Sequence, residues 1–205
     1  MDYLLRKEWN FSFKGARSYA HGTDIYDLAL NEITKYFGAH PETIKVSFHK
    51  VLRRNAWFFL CEKPPQIDKK QVYAYVELML KKRVYYSAIL ERSEEISSRI
   101  PYDEDEILRG VFLEKDSASL NIREDSSYIE QIVALTKCLH NCIYSDAKGK
   151  WFFSRIELFR ATAPCEYAGS QLRINAEKRL GFRLTRNSIW LDDSPIGEIW
   201  FTLTV

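Results

Sequence analysis

Two short stretches of this 205-residue chain carry candidate acid–base groups. Tyr19-Ala20-His21-Gly22-Thr23-Asp24 places a histidine, a glycine and a carboxylate just ahead of an apolar-periodic run. Histidine titrates near neutrality, so His21 beside Asp24 can move protons, and a helix starting here would direct its first N–H groups at an anion. The plainer reading gives Thr23 and Asp24 to capping and charging the helix and leaves His21 in a surface turn. The second stretch, Ser127-Tyr128-Ile129-Glu130-Gln131, has capping-box spacing, which by itself accounts for Glu130. His21, Asp24 and Glu130 are the candidate catalytic groups, with Gly22, Ser127 and Gln131 as neighbours placed to bind a substrate.

Other polar residues have simpler readings. His49 shares strand parity with Lys45 and Ser47, opposite Ile44, Val46 and Phe48, and belongs to a polar face. Arg155 and Glu157 alternate on one strand face as exposed partners. Cys138 and Cys142 stand four apart on a helix, but His140 between them points to another side. Together with Cys61 and Cys165 they read as reduced thiols, and no metal site is expected because structural zinc takes four convergent ligands. No Gly-rich phosphate loop, nucleophile elbow or paired zinc-binding histidines is present, and no cofactor is implied.

Two amphipathic helices must position these groups. In the first, Ile25, Leu28, Ala29, Ile33, Tyr36 and Phe37 fall near one face, with Thr23 as cap and Gly38 and Pro41 as the stop. In the second, Ile129, Ile132, Val133, Thr136, Leu139 and Ile143 make the buried stripe, ended by Asp146-Ala147-Lys148-Gly149. A short strand follows each helix, over 44–52 and over 151–159. Long alternating runs then cover 72–91 and 172–190. In the first of these Ala74, Val76, Leu78, Leu80, Val84, Tyr86, Ala88 and Leu90 share a face. In the second Leu172, Ile174, Ala176, Leu180, Phe182 and Leu184 oppose Arg173, Asn175, Glu177, Arg179, Arg183 and Thr185. At about 3.3 Å per residue a 19-residue strand would reach roughly 60 Å, so each run must bend, bulge or break in two. Asp192-Asp193-Ser194-Pro195 turns into a last strand over 196–205.

Composition limits the classes. A hydrophobic content of 46% with 14% aromatics supplies a packed core. No run approaches the roughly 20 apolar residues of a membrane span, and the first residues lack the form of a secretion signal, so a cytoplasmic protein is expected. The net charge of +2 divides as 17 Lys/Arg against 12 Asp/Glu over 1–100 and 13 against 16 over 101–205. Arg53-Arg54, Lys69-Lys70 and Lys81-Lys82-Arg83 can attract a phosphate-bearing ligand or acidic carrier, or simply solvate strand ends. Nothing marks a nucleic-acid binder.

The strand, helix, short strand and long strand occur twice, over 1–91 and 105–205, with 92–104 as a polar link. The best local match sets Lys81-Lys82-Arg83-Val84-Tyr85-Tyr86 beside Glu177-Lys178-Arg179-Leu180-Gly181-Phe182, and Leu4-Leu5-Arg6 resembles Ile107-Leu108-Arg109. In order and dimensions this α+β pattern resembles a double hotdog, two curved antiparallel sheets each wrapped around a central helix. The resemblance implies handling of acyl thioesters of coenzyme A or acyl carrier protein by a hydro-lyase or a thioesterase. It also implies catalytic groups near the helix starts, where N–H groups polarise a thioester carbonyl. Dehydratases of this fold pair a histidine from one unit with a carboxylate from the other. The dehydratase histidine motif with its following Gly and Pro is absent, and Ser127 stands where the Asp of an Asp-x-x-x-Gln pattern would be. A non-catalytic binding or scaffolding protein of the same fold is therefore the alternative, and either could assemble as a homo-oligomer.

Overall fold

The computed structural model describes residues 2–160, 167–181 and 183–204. The chain divides into two compact units, Met1–Tyr102 and Asp103–Val205. Each is an antiparallel sheet with one 16-residue helix, which makes the class α+β. Among the described residues no helix is long and apolar enough to cross a membrane.

The first unit runs β1 (Leu5–Trp9), β2 (Ser12–Lys14), α1 (Gly22–Phe37), β3 (Thr43–Phe48), β4 (Arg54–Cys61), β5 (Val72–Leu80), β6 (Arg83–Glu95) and β7 (Ser98–Ile100). Its antiparallel order is β1-β4-β6-β5-β3. A separate parallel pair joins β2 to β7, with Ser12 opposite Ser98. The segment 92–104 is thus more than a polar link: β6 continues through Glu95, and β7 returns the chain to β2. Nor did periodicity reveal β4, whose run Ala56-Trp57-Phe58-Phe59-Leu60-Cys61 is apolar on both faces.

Helix α1 begins two residues earlier than capping chemistry suggests. Its N-cap is His21, extended at φ −69° and ψ 138° with no side-chain cap bond, so Thr23 lies inside the first turn. Gly38 ends it in the left-handed conformation at φ 68°, and its N–H donates to Thr34 O. Ile25, Ala29 and Ile33 are buried as expected, but Tyr26 and Leu30 complete the stripe while Tyr36 is 44% exposed. Each fully buried aliphatic side chain contributes about 1.5–3 kcal/mol relative to exposure.

The run over 72–91 breaks into a hairpin. Val72, Ala74, Val76, Leu78 and Leu80 are buried on β5. The two-residue turn at Lys81 and Lys82 then sets Leu78 opposite Tyr85 and Val76 opposite Ser87. Parity therefore flips, because directly opposed residues share a face: Val84 and Tyr86 lie with Met79 and Glu77, not with the core.

The second unit contains α2 (Glu104–Ile107), β8 (Phe112–Leu113), β9 (Ser117–Asn121), α3 (Tyr128–Ile143), β10 (Lys150–Leu158), β11 (Gln171–Leu180), β12 (Leu184–Leu191) and β13 (Ser194–Thr204). Its antiparallel order is β8-β9-β11-β12-β13-β10. Ser127 caps α3 in the expected capping box. A register shift between Ala176 and Lys178 flips β11 midway. Beyond it Leu180 is 42% exposed, Arg179 covers the Tyr144 ring at 4.8 Å, and Thr185 is buried, reversing the faces expected for all three. Phe182, Cys165 and Val205 lie outside the described residues.

The units differ in strand order. In the first, β4 pairs with β6 and the 62–71 connection carries the chain past it to β5. In the second, β11, β12 and β13 follow as a meander. The matched segments around 81–86 and 177–182 therefore occupy turns that are not equivalent. The first joins β5 to β6, the last strand of its antiparallel sheet in chain order, while the second joins β11 to β12, with β13 still to follow.

Candidate functional site

The first-unit site grows from the start of α1. An extended His21 before Gly22 leaves the opening N–H groups of the helix without intrahelical partners, as at any helix start. His21 is 8% exposed and its Nδ1 lies 2.7 Å from Thr23 Oγ1, with Thr23 fully buried. The hydroxyl thus fixes the imidazole plane beside the helix start. Asp24, in the first turn, forms an ion pair with Lys14 of β2, whose side chain is 11% exposed. The carboxylate is thereby charge-balanced and held.

Sequence reasoning missed four further contributors, Tyr102, Lys14, Arg17 and Arg99. The β2–β7 pairing carries Tyr102 back to α1, where its ring centroid lies 5.4 Å from that of His21. Lys14 Nζ stands 5.4 Å from the Tyr102 ring and the Arg17 guanidinium 4.6 Å. Arg99 secures the connection, donating to Arg17 O at 2.9 Å and to Gly15 O. A parallel pairing of two three-residue strands has no periodicity to read, so only the structure brings Tyr102 to His21.

The second-unit residues converge on the start of α3, but their side chains serve the backbone. Ser127 Oγ accepts from Glu130 N, and Glu130 Oε2 accepts from Ser127 N, both at 3.2 Å. Gln131, 1% exposed, donates both amide hydrogens, to Arg123 O at 2.8 Å and Ser126 O at 3.1 Å. Its Oε1 accepts from Arg123 N at 3.0 Å. Gln131 is therefore a strut for the loop before α3. Arg155 and Glu157 pair with each other at 2.6 Å, and His49 is exposed at the end of β3.

Cys61 is buried, and burial raises its thiol pKa; Cys138 and Cys142 are also free. Among the described residues no group of three His, Cys, Asp or Glu side chains could hold a metal.

The antiparallel sheets with their long helices give the chain an α+β fold shared with solved thioesterases and a dehydratase domain. Among solved structures the chain resembles the tesB protein of Mycobacterium avium subs paratuberculosis, at TM-score 0.56 and 10% identity over 98% of this chain and 93% of that one. It also resembles an acyl-ACP thioesterase from Bacteroides thetaiotaomicron, at 0.55 and 7% over 98% and 97%. The dehydratase domain of RzxB from Pseudomonas fluorescens aligns at 0.50 and 10% over 97% and 94%. No family model and no curated protein sequence matches the chain. At these identities the likeness is one of fold.

Proposed function

We propose that this protein processes acyl thioesters of coenzyme A or acyl carrier protein in the cytoplasm, by a dehydratase-like or thioesterase-like reaction at the start of α1. The observation that carries the reading is the buried His21 imidazole, bonded to Thr23 at the first turn of a hotdog helix. In this reading the Gly22 and Thr23 N–H groups polarise the thioester carbonyl, and His21 moves the proton. Asp24 acts through Lys14 as a positioning residue. Glu130 is the second candidate acid–base group, and Glu130→Gln isolates that role because glutamine preserves the capping box. The two units are read as two hotdog-like halves, 1–91 and 105–205, whose inner strand orders have diverged.

A panel of acyl-CoA and acyl-carrier substrates tests the reading. Turnover that is lost in His21→Ala with the fold retained supports it. Neither turnover nor binding across the panel overturns it. The side chains of Ser127, Glu130 and Gln131 all bond their own main chain, which favours a second reading, a non-catalytic binding protein that can self-associate. Acyl-carrier binding without conversion would establish that one.

A further inference from the structure

In the second unit a cavity of about 330 Å³ lies at the start of α3, walled by Ile122, Arg123, Glu124, Ser126, Tyr128, Gln131 and Ala168. Its polar groups differ in what they offer a ligand, and the exposed Glu124 carboxylate disfavours an anion. The Arg123 guanidinium is occupied: Nε faces both Asp125 oxygens at 3.1 Å, Nη1 donates to Glu106 O at 2.9 Å, and Nη2 reaches the Asp125 and Glu106 carboxylates. The Gln131 amide hydrogens are both committed to main-chain carbonyls. Two hydroxyls differ from these. Tyr128 Oη and Ser126 Oγ are buried with no hydrogen-bond partner among the described residues, and Tyr128 is only 6% exposed.

Buried hydroxyls without a partner are uncommon because each forfeits its hydration, so two beside one cavity point to a function. Desolvation raises the Tyr128 pKa, which keeps its proton in place as a donor. Carboxylates already balance Arg123, the one cation on the wall among the described residues, so no described group remains to compensate an incoming anion. Ile122 and the Tyr128 ring give the space an apolar side.

We infer that this cavity binds an uncharged molecule with an apolar body and a carbonyl oxygen, which accepts hydrogen bonds from Tyr128 Oη and Ser126 Oγ. The site belongs to the second unit alone and does not rest on the His21 reading. Thioester acyl groups, esters, amides and ketones share the required chemistry.

The test titrates the full chain with cyclohexanone and with cyclohexanecarboxylate, following amide shifts by NMR. Saturable cyclohexanone binding centred on residues 122–131 is expected, with the carboxylate at least about tenfold weaker. Tyr128→Phe should weaken the ketone about tenfold or more, and Ser126→Ala should weaken it as a second, smaller deletion. The free Tyr128→Phe protein should melt at the same or a higher temperature, since it loses a buried group that has no partner. Absence of ketone binding, equal binding by both variants, tighter carboxylate binding, or a lowered Tyr128→Phe melting temperature would each overturn the proposal. Because binding is the readout, these results are independent of whether His21 supports turnover.

Discussion

His140 Nε2 donates to Asn187 Oδ1 across 3.0 Å in the core of the second unit. The Asn187 amide donates in turn to Ile199 O at 3.2 Å, so its oxygen faces the imidazole and the proton sits on Nε2. Rings of Trp151, Phe201 and Tyr144 surround the histidine at centroid distances of 4.7, 5.3 and 5.6 Å. Burial, only partly opposed by the Asn187 bond, lowers its pKa from 6.5 to about 4. Above pH 6.5 both folded and unfolded histidine are neutral and the residue adds no pH dependence. Between 6.5 and about 4 the unfolded chain takes up a proton that the folded one refuses, so stability falls as pH falls, by on the order of 3 kcal/mol in all. Urea unfolding at pH 7, 5.5 and 4.5 should show that slope, and His140→Leu should remove its share. An unchanged slope in the variant would show that His140 is not its source.

Thr23 Oγ1 lies 2.7 Å from His21 Nδ1, and under the proposed reaction it orients the imidazole. Thr23→Val keeps the branched shape and deletes the bond, so turnover of a competent acyl thioester should drop about tenfold or more with little change in KM. The pH–rate profile should also shift, and Thr23→Ser should restore most of the rate. A variant with unaltered kinetics would leave the hydroxyl a purely structural group.

The α3 capping box predicts a different signature. Ser127→Ala should lower stability by about 1 kcal/mol, whereas Glu130→Gln should cost less because the amide oxygen still reaches Ser127 N. Chemical denaturation of the two variants checks the order. Equal and large losses would mean that the Glu130 charge matters beyond the cap.

At the β5–β6 turn Lys81 and Lys82 both adopt left-handed backbone, with φ of 50° and 61°. Each non-glycine residue there costs roughly 1–2 kcal/mol, and the turn type prefers Asn-Gly. The double change Lys81→Asn, Lys82→Gly should therefore raise stability by about 1 kcal/mol, measured as a higher melting temperature. A decrease would show that the lysine side chains stabilise the hairpin by more than the backbone strain they impose.

Much of the architecture was legible because its signals are local. Gly38 stops α1 by the left-handed geometry its type allows, and Ser127 with Glu130 spells a cap within four residues. The length of the 72–91 and 172–190 runs required the breaks now seen at Lys81-Lys82 and after Leu180. What failed was parity across those breaks: a two-residue turn and the bulge after Ala176 each reverse which side chains point inward, and neither leaves a trace in alternation. The His21 neighbourhood was half legible. Thr23 and Asp24 are adjacent in sequence, but Lys14 and Tyr102 reach the site by tertiary pairing.

The parallel ladder of β2 and β7 also has a consequence in time. Ser12 and Ser98 are 86 positions apart and bond at 2.8 Å, while Tyr102 is the last residue of its unit. During synthesis α1 can form well before the ring reaches His21, whereas β6, which joins β4 to β5, and then Tyr102 come only at the end of the unit. The neighbourhood of the histidine is thus completed only when the whole unit has been made, and a nascent chain ending at Glu95 would carry the helix without its finished surroundings.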